Sequence, residues 1–170
     1  MRRKATDPRI QLLLRELDQA YDKKAWHGTT LRGSLRGLAV KEARWRPAPK
    51  RHNIWELVLH AAYWKYIVLR KLSGDSELKF PRPGSNFPRL PKKPDSKAWA
   101  KDVRLLQEQH TGLRKAVVRF PVRRLAAKAR KSIWSNVDHI HGIAAHDLYH
   151  AGQIQLLKRL QRRKATRRRK

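Results

Sequence analysis

Apolar residues recur at intervals of three and four along most of the chain, and no stretch alternates long enough to predict a strand. The first run, Ile10, Leu13, Leu14, Leu17 and Tyr21, follows Asp7 and Pro8. A capping residue and then a proline suited to a first turn predict a helix over about 8–25. Leu31, Leu35 and Leu38, inside WHGTTLRGSLRGL (26–38), fit one short helix beginning near Thr29 or Thr30. RWRPAPKRHN (44–53) reads as a loop, because its two prolines and the residues before them resist helix. Asn53 with Glu56 three positions on forms a capping pattern, and a second long helix runs from there to Leu72, stopped by Ser73 and Gly74. Its inward stripe is Ile54, Leu57, His60, Ala61, Trp64, Ile67 and Val68.

FPRPGSNFPRLPKKPD (80–95) holds five prolines, so about 74–96 is expected to be a long irregular crossover. Asp95 or Ser96 then opens a third long helix over about 97–119, with Trp99, Val103, Leu106, His110, Leu113 and Val117 on one stripe and Phe120 and Pro121 at its end. Residues 122–138 fit a helical turn or an extended piece equally well. A fourth long helix is predicted over about 139–162. Four amphipathic helices with a long middle connection predict an all-α fold, a four-helix bundle with a proline-rich crossover between the second and third long helices. A length of 170 residues suits one domain. It is expected over 8–161, with basic tails at 1–7 and 162–170.

Charge changes the picture of the surface. Forty-two Lys and Arg against thirteen Asp and Glu give a net +29, while 40% of residues are hydrophobic, enough for a core. The end KRLQRRKATRRRK (158–170) carries nine basic residues and no acid, and Arg2, Arg3 and Lys4 add to the other end. Such a surface favours anionic partners, whether an anionic small-molecule substrate or, non-specifically, nucleic acid and other polyanions. No helix-turn-helix or aromatic-rich ribonucleoprotein motif points to sequence-specific recognition. With no cysteine and Met1 the sole methionine, thiolate ligands, disulfides and a cysteine nucleophile are excluded. Any metal must be held by His, Asp or Glu. No run approaches the roughly 18 apolar residues that span a bilayer. The basic start lacks the unbroken apolar stretch and cleavage site of a secretory leader, so a cytoplasmic protein is expected. Uncovered apolar faces of the bundle would suit a homodimer.

Eight histidines remain to be placed. Positions 139, 143, 146, 150, 153 and 157 step by four and three along the fourth long helix, giving the seam His139, Ile143, His146, His150, Gln153 and Leu157. His146 and His150 thus lie one turn apart on the expected inner face and can converge on one ion. His60, on the inner stripe of the second long helix, is the natural third ligand, since a bundle core brings facing helices together. Three imidazoles would leave a position for water or substrate, and Zn²⁺, Ni²⁺, Fe²⁺ or Mn²⁺ would each accept such a nitrogen set. The other reading is three core histidines held by ordinary hydrogen bonds. His146-Asp147-x-x-His150 differs from the zinc-protease pattern His-Glu-x-x-His, whose longer glutamate serves as general base; aspartate falls short of that role. Glu56 and Trp64, one turn either side of His60, and Gln153, one turn beyond His150, are candidates to orient the imidazoles or a substrate. A helix cap, core packing and a polar helix end are their plainer roles. His27, His52, His110, His139 and His141 lack a partner at ligand spacing and are expected on the surface or in loops, with His27 and His110 nearest the pocket.

NIWELVLHAAYWK (53–65) and HDLYHAGQIQLLKRL (146–160), in this order and joined by a proline-rich crossover and a further helix, resemble the DinB superfamily of metal-binding four-helix bundles. The resemblance covers about 8–161. It implies that His60, His146 and His150 correspond to that family's metal triad. It also implies an activity among metal-dependent hydrolases or transferases and isomerases that use a low-molecular-weight thiol. The alternative is a helical scaffold that binds polyanions through its basic surface and tail without catalysis.

Overall fold

The computed structural model describes residues 7–129 and 131–167, with side chains to 162; the ends of both basic tails lie outside them. Helix α1 spans Pro8–Tyr21, α2 Leu31–Ser34, α3 Val40–Arg44, α4 Ile54–Ser73, α5 Ser96–Val118 and α6 Asn136–Arg167, with a 3-10 turn at Val122–Arg124. The described residues are helical apart from loops and one isolated bridge between Lys128 and Ser135. Around the core, α4 packs on α5, α5 on α1, α1 on α6 and α6 on α4.

Local chemistry sets the helix ends. The Asp7 carboxylate accepts from the Arg9 N–H at 2.9 Å, and Asp95 accepts from the Ala98 N–H at 2.8 Å. At the start of α4 the Asn53 side chain accepts from the Glu56 N–H (2.9 Å) and the Glu56 carboxylate accepts from the Asn53 N–H (3.1 Å), so two otherwise orphaned donors are satisfied at once. Gly74 ends the helix at φ 72°, a left-handed cap that favours glycine. Several bounds differ from the periodicity. Helix α1 stops at Tyr21 rather than near 25, α6 runs from Asn136 to Arg167 rather than 139 to 162, and Val40–Arg44 is a short helix in its own right. Segment 26–38 yields a helix of only four residues, capped by the Thr30 side chain through the Gly33 N–H at 3.1 Å. These short pieces are set by caps, which a search for apolar period does not see.

The core forms two apolar halves. One gathers Leu31, Trp55, Leu59, Leu106 and Ile154, the other Leu17, Leu113, Val117, Ile140 and Ile143. Each such side chain, removed from water, contributes about 1.5–3 kcal/mol. Outside both clusters Lys65, His110 and Asp147 are buried together on three different helices, against Tyr21 of the first half on a fourth. Lys65 donates to Asp147 Oδ2 at 2.5 Å, and its Nζ is 3.4 Å from His110 Nδ1 and 5.0 Å from the Tyr21 ring centroid. The His110 ring stacks on Tyr21 with centroids 3.8 Å apart. A polar layer therefore crosses the core.

That layer corrects the predicted stripes. The buried line of α6 is Ile140, Ile143, Ala144, Asp147, Ala151 and Ile154, with His150 and Leu157 beside it, while His139 and Gln153 are only half-buried. The true seam is turned by one residue from the expected one. On α4, Lys65 is buried and Trp64, expected inside, is 37% exposed. A lysine and an aspartate can occupy core positions here because each neutralises the other.

Segment 74–95 carries no regular structure. It is tied down by Arg82, whose guanidinium donates to Asp102 Oδ1, while the other oxygen of Asp102 accepts from Trp55 Nε1 at 2.8 Å. Tyr66 adds a hydrogen bond to the Leu78 carbonyl at 2.8 Å. This segment is thereby laid across α4 and brings Asn86 and Phe87 to the site.

Candidate metal centre

Helix α6 presents His146 and His150 one turn apart, and α4 presents His60 opposite them. The His60 Nε2 lies 3.0 Å from His146 Nε2, and His150 Nε2 lies 3.1 Å from the same atom. One ligand nitrogen from each falls within 4.8 Å of the others. Two nitrogens bound tetrahedrally to one ion at about 2.0–2.1 Å would stand about 3.3 Å apart, so the cluster has dimensions compatible with metal binding.

The outer nitrogens decide which lone pairs face inward. His60 Nδ1 is 2.8 Å from the Asn86 carbonyl, which can only accept, so Nδ1 carries the proton and Nε2 a lone pair. His150 Nδ1 is 2.7 Å from Gln153 Oε1 and donates to it, leaving its Nε2 likewise bare. His146 can offer one proton at most to these two acceptors. Its Nδ1 is buried without a hydrogen-bond partner, as is Asp147 Oδ1. Hydrogen bonding among the three rings therefore leaves a lone pair unanswered, whereas a cation between them would satisfy all three.

Burial keeps the imidazoles neutral. It holds His146 down to about 3 and His150 to about 4, with neighbouring positive charge adding to the effect at His146, and it lowers His60 against the opposing pull of the Asn86 carbonyl. At neutral pH all three offer lone pairs, the form a metal requires.

The supporting residues divide. Gln153 touches His150 directly. Trp64 acts through Asn86: its Nε1–H donates to Asn86 Oδ1 at 2.9 Å, holding the loop whose carbonyl receives His60. Asn86 sits at φ 58°, a left-handed conformation that asparagine tolerates better than most residues. Glu56 is further out, capping α4, pairing with the Arg46 guanidinium and lying 3.2 Å from His52 Nδ1. The His52 ring stacks on Phe87 at 3.8 Å and Phe87 on His60 at 4.2 Å, so three parallel rings run from Glu56 to the centre.

Sequence reasoning passed over Asn86, Phe87 and His52. An aromatic inside a proline-rich loop, preceded by a residue suited to a left-handed turn, was the available signal. His27 is exposed in its loop, as expected, and His110 is buried on the inner stripe of α5, but neither borders the cavity at the three histidines as expected, whereas His52 does. His139 pairs with Ser132 Oγ at 2.9 Å and His141 with Glu16 at 2.5 Å, away from the centre.

A cavity of about 600 Å³ opens beside the three histidines, with Leu57, Phe87, Tyr149, Leu156 and Leu157 as its apolar walls. No helix among the described residues is long and apolar enough to cross a membrane. No curated protein and no solved structure matches the chain. A family model described as the DinB superfamily matches residues 22–154.

Proposed function

We propose, for a chain that belongs to the DinB superfamily, that His60, His146 and His150 hold one divalent metal ion, Zn, Ni, Fe or Mn, and that the protein is a metal-dependent hydrolase or thiol-dependent transferase. The reading takes the four long helices as a four-helix bundle of DinB type and the cavity as the substrate's entry. The observation that carries it is the convergence of three neutral imidazoles whose inward nitrogens cannot all be satisfied by one another. When bound, the ion would supply Lewis acidity toward water, a thiol or a carbonyl group. The chain's own residues hold the geometry. Asn86 and Gln153 fix two imidazole tautomers, Trp64 and Phe87 keep the crossover against His60, and the apolar walls limit water around the centre.

The test is metal content of protein purified without added metal, compared with His60→Ala, His146→Ala and His150→Ala. About one equivalent in the parent and its loss in each variant is the expected result. Metal retained after removal of both His146 and His150 would overturn the proposal.

A second reading draws on charge. Lys and Arg outnumber Asp and Glu by 29, an excess that pairs such as Arg114–Asp18, Arg46–Glu56, Arg82–Asp102 and Lys65–Asp147 leave unchanged, since each removes one charge of either sign. Binding of polyanions by the basic surface, with or without catalysis, is the outcome to separate from the first.

A further inference from the structure

We infer that the cavity beside the histidines takes an amphiphilic monoanion, a molecule with an apolar body of several carbons and a single carboxylate-like group, the body against α6 and the crossover and the anionic group at Arg51. The inference rests on the reading of the three histidines as the reacting end of that cavity.

The walls call for an apolar body. Tyr149 and Leu156 line the cavity from α6 and are 64% and 59% exposed, large apolar side chains left in water beside a concave site. Phe87 and Leu157 continue the same wall. The volume of about 600 Å³ falls within the range of small-molecule sites, in which apolar lining and a few placed polar groups are usual. A molecule lying on Tyr149 and Leu156 would remove their area from water, at about 25 cal/mol per Å².

The charges call for one negative group. No carboxylate lines the cavity. The imidazole of His52 is taken up by Glu56 and Phe87, and Glu56 is itself occupied by Arg46 and the cap of α4. The guanidinium of Arg51 has no acidic partner among the described residues, although it borders an apolar wall. Apart from an ion held by the three histidines, the Arg51 guanidinium matches one anionic group. A further negative group lying along the wall of Tyr149, Leu156 and Leu157 would meet apolar side chains.

Calorimetric titration of the full chain with octanoate, butyrate and octan-1-ol, at fixed ionic strength, tests this. Octanoate is expected to bind at one site, and butyrate, with the charge but little body, at least about tenfold more weakly. Arg51→Gln should weaken octanoate about tenfold and leave octan-1-ol unchanged, while Leu156→Gln should weaken both. Arg119→Gln, on the exposed end of α5, controls for general loss of charge. Equal affinity for octanoate and butyrate, or equal effects of Arg51→Gln and Arg119→Gln, would overturn the inference. The titrations are repeated after dialysis against a chelator. Octanoate binding that vanishes on chelation and ignores Arg51 leaves the metal reading standing and defeats this one. Arg51-dependent binding in protein that never held metal does the reverse.

Discussion

Each histidine of the centre has two nitrogens, and their division of labour sets what substitution will do. Gln153→Leu removes the acceptor that fixes the His150 tautomer while leaving every proposed ligand in place. Metal affinity, read by competition with a chromogenic chelator, should fall about tenfold or more, short of the complete loss expected for His150→Ala. His110 makes a different prediction. Burial first, then the Lys65 and Arg114 charges, hold its pKa down to about 3. The unfolded residue takes up a proton near pH 6.5, so between these values the unfolded state binds more protons and acidification destabilises the fold. This contribution is fully present above about pH 6.5 and is lost as pH falls toward 3, with a slope of at most about 1.4 kcal/mol per pH unit. Urea midpoints should therefore drop more steeply between pH 6.5 and 4.5 in the parent than in His110→Gln. Equal slopes would show that His110 is not kept neutral.

Helices α4 and α6 meet through the Lys65–Asp147 pair, five residues after His60 and directly between His146 and His150 in sequence. Both members are 0% exposed. Burial pushes the Asp147 carboxyl up, and Lys65 beside it pulls the other way. Removing one member leaves the other buried without its counterion, a cost of about 3–5 kcal/mol. Chemical denaturation of Lys65→Met should show a loss of that order, and Lys65→Met with Asp147→Leu should recover much of it. A double variant that regains stability but binds metal less tightly would assign the pair to fixing α4 against α6 and so the spacing of the histidines. The period of α6 admits two inner faces turned by one residue. Asp147 at the centre of the real one was not legible, because its partner lies 82 residues away in sequence.

At the scale of the whole molecule the net charge of +29 predicts steeply salt-dependent association with mixed-sequence DNA, weak at physiological ionic strength. Fluorescence anisotropy should show most of that affinity lost on deletion of 161–170; affinity that persists in high salt would instead indicate a specific interface. The sequence by itself determined the all-helical class, the four long helices, the irregular proline-rich connection and the histidines at 60, 146 and 150. Those features follow from period, caps and breakers, which act between residues a few positions apart. Only the tertiary structure decided the rest. It turned α6 so that Asp147 rather than His146 lies deepest, buried Lys65 and His110 in a polar layer between two apolar halves, and folded segment 74–95 so that Asn86 and Phe87 close on His60. Each of those outcomes depends on a partner tens of residues away. A buried charge or a fixed imidazole tautomer is stable only when that partner is in place, so local pattern carries no record of it.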